Sequence, residues 1–135
     1  KKDCDAIIFT YKLKSRTVNN YSDFAYCVIN KNQTVTKIME KKTISNDPAN
    51  DQMVVGTFWF SKSKNFFISC ELAKKKKYYI NKELYVANNI NILIKKGFKV
   101  KFLEVDFWIN FGDAHDFNSF IYWQNFFFET NYLKI

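Results

Sequence analysis

The residues best suited to chemistry fall in three short segments that follow one another along the chain. Glu40 and Lys41 place a carboxylate beside a cation, Gly56 lies in an aromatic stretch, and Asn110 precedes a polar turn. Carboxylate, ammonium and amide groups bind ligands through charge and hydrogen bonds. The chain has a single histidine, His115, and no cysteine in a reactive setting, so we do not expect covalent catalysis of the Ser-His-Asp or cysteine type. We therefore expect these residues to bind a ligand and to neutralise its charge, rather than to form a covalent intermediate.

Five strands are predicted to position these segments. Apolar and β-branched residues are typical of strands, and turn residues separate the runs. The predicted strands cover residues 4–11, 24–30, 34–40, 53–60 and 99–105, and the second and third form a hairpin. Glu40 and Lys41 then follow the hairpin, and Gly56 lies inside the fourth strand.

Three helices complete the predicted arrangement. Apolar residues recur at helical spacing over residues 61–77 and 83–96, and a last helix covers about 114–129. Asp113 is placed to cap the backbone of this last helix, and Asp116 falls in its first turn. No repeat, linker or second domain is indicated, so residues 1–135 are expected to form a single domain or a half-domain.

Composition predicts a folded, cytoplasmic protein. Aromatic residues make up 19% of the chain, whereas glycine and proline number only 3 and 1, which favours order over disorder. No stretch approaches the roughly 18 apolar residues of a membrane span, and the first residues lack a signal-peptide pattern. The three cysteines show no metal-like spacing, so we expect reduced thiols packed as small apolar residues.

The net charge of +8 leaves a nucleic-acid-binding module as an alternative. Lysines supply nearly all of this charge, and Arg16 is the only arginine. Lys74–Lys77 and the pair at 95–96 could hold phosphates while a neighbouring tyrosine stacks on a base. No recognised nucleic-acid motif accompanies them, so we do not expect nucleic acid as the partner.

The order of the segments resembles the C-terminal, sugar-binding half of the bacterial sugar-1-phosphate nucleotidyltransferases. The resemblance covers nearly the whole chain and depends on joint order and spacing, since each motif alone is weak. It implies an α/β fold, with a mixed sheet and flanking helices, that forms the C-terminal part of a Rossmann-like nucleotidyltransferase domain. It also implies a role in making precursors of surface polysaccharides.

The resemblance assigns roles to the first two segments. The family's Glu-Lys-Pro is similar to Glu40-Lys41-Lys42, which implies that Glu40 accepts hydrogen bonds from sugar hydroxyls. Lys41 would bind the sugar phosphate and act as the catalytic cation. Lys42 replaces the proline, which loosens the loop. The family's Gly-containing aromatic strand is similar to residues 56–60, so Gly56 would let the sugar approach the backbone closely.

The third segment implies a magnesium ion. The family's Gly-Thr-Pro-x-Asp is similar to residues 112–116, with Asp113 taking the capping role of the threonine. Asn110 stands where family members often carry an aspartate that binds Mg²⁺, and an amide oxygen ligates without adding charge. A helix start of the family, Asn-Gly-Glu, also resembles residues 81–83, without the glycine.

The implied reaction needs more than these residues. A sugar-1-phosphate oxygen would attack the α-phosphorus of a nucleoside triphosphate and release pyrophosphate, with catalysis by positioning and charge neutralisation. Nothing in the chain resembles the glycine-rich loop that holds the triphosphate. We therefore expect a missing N-terminal segment or a partner chain, and little or no turnover by the 135 residues alone.

Simpler interpretations stay open. Glu40 and Lys41 would also suit a solvated strand end, and Asn110 would suit a turn whose backbone it satisfies. His115 is expected to lie exposed in the first helical turn without a catalytic role. The aromatic residues of 117–128 are more typical of a core or a subunit contact than of a ligand platform. A non-catalytic interaction domain, with the terminal helix as a dimer surface, is therefore the other alternative.

Overall fold

Alternating apolar residues build a mixed sheet of five strands. The computed structural model describes residues 3–14, 18, 20–80 and 82–130. Its strands are β1 (Ala6–Tyr11), β2 (Tyr26–Ile29), β3 (Val35–Met39), β4 (Met53–Phe60) and β5 (Val100–Glu104). They lie in the order β3-β2-β4-β1-β5, in which β1 and β5 are parallel and the other neighbours are antiparallel. The predicted α/β fold with a mixed sheet is confirmed.

Three α-helices accompany the sheet in the described part of the chain. They are α1 (Ser63–Lys75), α2 (Val86–Lys95) and α3 (Ala114–Glu129), and α2 packs against both α1 and β3. Asp113 caps α3 as predicted, because its side chain accepts a hydrogen bond of 2.8 Å from the Asp116 backbone N–H. None of the described helices is both long and apolar enough to cross a membrane.

The predicted start of α2 is wrong by three residues. Ile80 and Glu83 exchange two backbone hydrogen bonds of 2.9 Å, which close a tight turn ahead of the helix. Tyr85 keeps an extended backbone and precedes the first helical residue, Val86. Asn81, the first residue of the segment compared with the family's helix start, lies outside the described residues. The local turn therefore takes residues that the apolar periodicity assigned to the helix.

Two apolar clusters form the core. The first joins the sheet to α2 and consists of Ala6, Ile8, Ala25, Cys27, Val35, Ile38, Ala87, Ile90 and Val100. The second consists of Leu13, Tyr26 and Met53, with Trp108 among the half-buried residues packed against it. The Trp108 ring lies 6.1 Å from Tyr11 and 6.0 Å from Phe24, measured between centroids. The packing of Trp108 thereby holds the segment that follows β5 against the sheet.

A bulge in β4 sets the backbone at Gly56. Ile8 pairs with Phe58 and Thr10 with Val54, so three residues of β4 lie opposite one residue of β1. Gly56 is one of the three and has a φ of +89°. Residues with a Cβ rarely adopt this conformation, which explains why the chain has glycine here.

Candidate functional site

One cleft brings together three of the four site residues predicted from the sequence. Lys41, Gly56 and Asn110 all line a cleft of about 600 Å³. The other lining residues are Val18, Asn20, Asp23, Phe24, Val54, Val55, Trp108, Gly112, Asp113, His115 and Asp116. Small-molecule sites typically have volumes of about 300–1,000 Å³ and combine apolar walls with a few polar groups. The cleft therefore has the size and the lining of a site for a small molecule.

Lys41 supplies the cation of the cleft. It follows β3 in the left-handed conformation, with a φ of +53°. Its Nζ donates a hydrogen bond of 2.6 Å to the backbone carbonyl of Asp23 and lies 5.9 Å from the centroid of the Tyr85 ring. An ammonium group carries three donors, so this bond to Asp23 leaves capacity for an anionic oxygen of a ligand.

Glu40 faces a smaller cavity beside the cleft. This cavity of about 200 Å³ shares Asp23, Phe24, Val54 and Gly56 with the cleft. The Oε2 atom of Glu40 is buried and accepts no hydrogen bond from the described residues. Burial raises the pKa of the Glu40 carboxyl, and the charge of Lys41 partly opposes this shift. The side chain is thus an acceptor in need of a donor.

Gly56 lines both cavities. A Cβ added at this position would meet no protein atom within 4 Å, so its backbone conformation, rather than crowding, requires glycine. A ligand in the cleft can consequently come close to the main chain at this point.

Asn110 organises the loop that leads into α3. Its Oδ1 accepts a hydrogen bond of 2.9 Å from the Gly112 backbone N–H, and its Nδ2 donates to Asp116 at 2.7 Å and to Asp113 at 3.2 Å. A Cβ on Gly112 would come within 3.0 Å of Oδ1, so glycine leaves the room that the amide occupies. The amide, two carboxylates and a backbone N–H therefore form a closed network.

This network does not fit a magnesium ion shared by its three side chains. Asp113, Asp116 and Asn110 offer the oxygen atoms that Mg²⁺ prefers, but the amide turns its N–H groups, rather than its oxygen, toward the carboxylates. Among residues 3–14, 18, 20–80 and 82–130, no group of three or more His, Cys, Asp and Glu side chains is arranged to hold a metal ion. Magnesium binding by Asn110 stays a prediction.

The residues that line the cleft carry charges of both signs. Lys41 supplies the positive charge, whereas Asp23, Asp113 and Asp116 supply negative charge, with Asp116 in the first turn of α3. The partial positive charge at the start of α3 stabilises the carboxylates of Asp113 and Asp116 and partly offsets their negative charge. An anionic ligand would therefore place its charge near Lys41. His115 lies exposed at the rim, as predicted.

Sequence reasoning missed several residues of this site. Asp23 contributes through its backbone carbonyl, which no side-chain pattern reveals. Tyr85 lies under Lys41 and donates a hydrogen bond from its hydroxyl to the Glu83 carboxylate. The sequence prediction placed Tyr85 inside the helix, because it began the helix at residue 83 rather than at Val86. Trp108 stands two residues before Asn110, but Phe107 and Phe111 are also close in the sequence, so sequence alone does not single Trp108 out.

Several solved structures are similar to this chain, and two of them show the common fold. A nucleoside-diphosphate-sugar pyrophosphorylase from Vibrio cholerae RC9 superimposes with a TM-score of 0.66 and 19% identity, over 87% of this chain and 46% of the other. A protein from Bacillus anthracis, assigned as a glucose-1-phosphate thymidylyltransferase and solved with sucrose, gives a TM-score of 0.59 and 19% identity, over 87% and 42%. The chain thus spans less than half the length of either neighbour. At this identity the likeness shows the fold alone.

No protein-family model matches the sequence, and no curated protein matches it either. Both structural neighbours described above are sugar nucleotidyltransferases, and a shared fold does not by itself establish a shared function.

Proposed function

We propose that this chain is the sugar-phosphate-binding part of a sugar-1-phosphate nucleotidyltransferase. The observation that carries the proposal is the cleft in which Lys41, Gly56 and Asn110 meet, with the Glu40 carboxylate lining the adjoining cavity. The fold shared with two sugar nucleotidyltransferases supports it.

The proposal gives each of these residues a ligand group. The phosphate of the sugar phosphate binds to the Lys41 ammonium, which already lies at the wall of the cleft. A sugar hydroxyl donates to the carboxylate of Glu40, which lines the adjoining cavity. The sugar ring lies against the exposed backbone of Gly56, where no side chain intervenes. Together these contacts fix the orientation of the phosphate relative to the sugar.

The reaction that this orientation serves is nucleotidyl transfer. An oxygen of the sugar phosphate attacks the α-phosphorus of a nucleoside triphosphate; an O–P bond forms, and the bond to the departing pyrophosphate breaks. Lys41 holds the attacking phosphate and offsets its negative charge, which lowers the repulsion between two anions. Protein outside these 135 residues would hold the triphosphate, in keeping with the larger size of both neighbours.

The aromatic surface of α3 supports an additional protein segment or partner. None of the residues of α3 is buried, and its exposed large side chains are Phe117, Tyr122, Trp123, Phe126, Phe127 and Phe128. Exposed apolar patches of this kind mark interaction surfaces. Under the proposal, the nucleotide-binding part of the enzyme or a second copy of the chain covers α3.

The same surface favours the second candidate, a non-catalytic interaction domain. Sedimentation over a range of concentrations would detect self-association through α3. Self-association without any binding of a sugar phosphate would favour this candidate over the proposed enzyme.

Calorimetric titration with glucose 1-phosphate tests the proposed function. Lys41→Ala is expected to weaken binding by about 1.5–3 kcal/mol, the range for hydrogen bonds to charged groups. Lys42→Ala is the matched control, because Lys42 is also exposed but does not line the cleft. Equal affinities of the two variants would remove Lys41 from the site, and a failure of glucose 1-phosphate and other sugar 1-phosphates to bind would contradict the proposed function.

A further inference from the structure

The network around Asn110 is built as though the amide occupied the place of a cation. Two carboxylates, Asp113 and Asp116, face the same Nδ2 atom at 3.2 Å and 2.7 Å. Neighbouring carboxylates repel each other unless positive charge or hydrogen-bond donors lie between them. A metal ion would supply that charge in a cation site, and the two N–H groups of Asn110 supply the donors here.

Three contacts fix the direction in which the amide points. Its Oδ1 accepts from the Gly112 backbone N–H at 2.9 Å, on the side away from the carboxylates. Turning the oxygen toward Asp113 and Asp116 would break this bond and both bonds from Nδ2. It would also place an acceptor against two acceptors, which is unfavourable.

The backbone supports the same arrangement. Gly112 leaves space for the amide, since a Cβ there would lie 3.0 Å from Oδ1. Asp113 is engaged a second time, because its other oxygen accepts the Asp116 backbone N–H at 2.8 Å as the cap of α3. The helix start thus holds both carboxylates in position without an added ion.

We infer that Asn110 substitutes for a divalent cation in this cleft, so that the loop at the start of α3 recruits no metal ion of its own. The inference rests on the proposed function only for the identity of the ligand, since the state of the loop can be measured without one. If the complete enzyme uses a divalent ion, groups outside this loop must hold it. The sugar phosphate then binds to this part of the site whether or not a divalent ion is present.

Binding of Mn²⁺, followed by electron paramagnetic resonance on the chain without sugar phosphate, tests this inference. The unsubstituted chain is expected to show no saturable binding below about 1 mM, the weak end of protein sites for hard divalent ions. Asn110→Asp should convert the network into three carboxylates and tighten Mn²⁺ binding by at least about tenfold, since affinity rises with ligand charge. Asn118→Asp is the matched control, because it adds the same charge at an exposed position of α3.

Two results would overturn the inference. One is Mn²⁺ binding by the unsubstituted chain at micromolar concentration that Asn110→Ala abolishes, which would make Asn110 a ligand. The other is an Asn110→Asp variant that is folded by circular dichroism and binds Mn²⁺ no better than Asn118→Asp. Nuclear magnetic resonance adds a readout without any variant, because the side-chain NH₂ signals of Asn110 should not move on addition of Mg²⁺, and a saturable shift would contradict the inference.

These outcomes differ from a failure of the proposed function. If the chain binds neither Mn²⁺ nor glucose 1-phosphate, the result supports the inference about Asn110 and contradicts the proposed ligand. If the chain binds glucose 1-phosphate only when Mg²⁺ is present, the result supports the proposed function and overturns the inference about Asn110.

Discussion

Replacing Glu40 by glutamine is expected to stabilise the folded chain at neutral pH. Burial raises the pKa of Glu40 above its ordinary value of 4.5, and the nearby Lys41 charge only partly offsets this. A carboxyl whose pKa is higher in the folded state binds its proton more tightly there than in the unfolded chain. Its contribution to stability is fully present below the unfolded pKa and is lost as the pH rises through the folded pKa. The Glu40 carboxyl is therefore less favourable to folding at pH 7 than at pH 4.

The size of this effect follows from the surroundings of the carboxylate. A buried polar group without a partner costs about 1–3 kcal/mol and a charged group costs more, so the gain from glutamine is only the part of the cost that comes from the charge. Glu40 is only half-buried and lies beside the Lys41 charge, so we expect a gain near the lower limit, about 1 kcal/mol, for Glu40→Gln at pH 7. Glutamine keeps the shape of the side chain and removes the charge.

Urea unfolding at pH 7 and pH 4 measures this change, and Glu104 provides a control of opposite sign. The Glu104 carboxylate accepts a hydrogen bond of 2.5 Å from Gln52 Nε2, which lowers its pKa, and Lys12 also lowers it. Its contribution is present above the unfolded pKa and is lost as the pH falls through the folded pKa. Glu104→Gln should therefore destabilise the chain at pH 7, by less than about 1 kcal/mol because the group is exposed.

The pH dependence decides whether this reasoning is correct. The advantage of Glu40→Gln should shrink between pH 7 and pH 4, where the original carboxyl takes up its proton. Two results would contradict this explanation. One is a Glu40→Gln variant that is less stable than the original chain at pH 7, and the other is a variant whose free energy of unfolding rises equally at pH 7 and pH 4. The proposed function adds that Glu40→Gln weakens the binding of sugar 1-phosphates, so the change would trade affinity for stability.

Two further substitutions test the backbone of the site and the edge of the sheet. Gly56→Ala should lower the free energy of unfolding by about 1–2 kcal/mol in urea, because an alanine at a φ of +89° is strained although no atom lies nearby. Gly97→Ala, at a φ of +83° and in equally open space, should cost a similar amount and leave ligand binding unchanged; a costless Gly56→Ala would contradict the argument. Asn91→Ala should destabilise the chain by about 1–3 kcal/mol, because the Asn91 amide bonds both the N–H of Ile38, at 2.8 Å, and its carbonyl, at 2.9 Å. Faster hydrogen exchange at Ile38 would show this, and unchanged exchange would argue against it.

Local signals in the sequence predicted most of the fold. The bounds of β4 and α3 agree with the prediction, because turn residues precede Met53 and Asp113 caps the last helix. The interior of α1 was harder to predict. Helical spacing predicts an apolar side of α1 that includes Phe67 and Ala73; Ala73 is buried as predicted, but Phe67 is 61% exposed, and the polar Asn65 and Ser69 are buried in addition. Small side chains let α1 approach its neighbours closely, and hydropathy does not record that preference.

The candidate site was predictable where side-chain chemistry and position act together. The resemblance placed Lys41, Gly56 and Asn110 in one site, and the structure brings them to one cleft. Glu40 lines an adjoining cavity instead, because successive residues at the end of β3 point in different directions. The carbonyl of Asp23 and the orientation of the Asn110 amide depend on tertiary geometry, which sequence patterns do not contain.

A residue-by-residue titration with glucose 1-phosphate, followed by ¹⁵N–¹H nuclear magnetic resonance, tests the central claim most directly. The proposed function predicts saturable shifts concentrated at the backbone amides of Lys41 and Gly56, with smaller shifts in the loop around Asn110. It also predicts that Lys41→Ala weakens these shifts and Lys42→Ala does not. Shifts confined to the lysines at the end of α1, or no saturable shift at the cleft, would contradict the claim that this cleft binds a sugar phosphate.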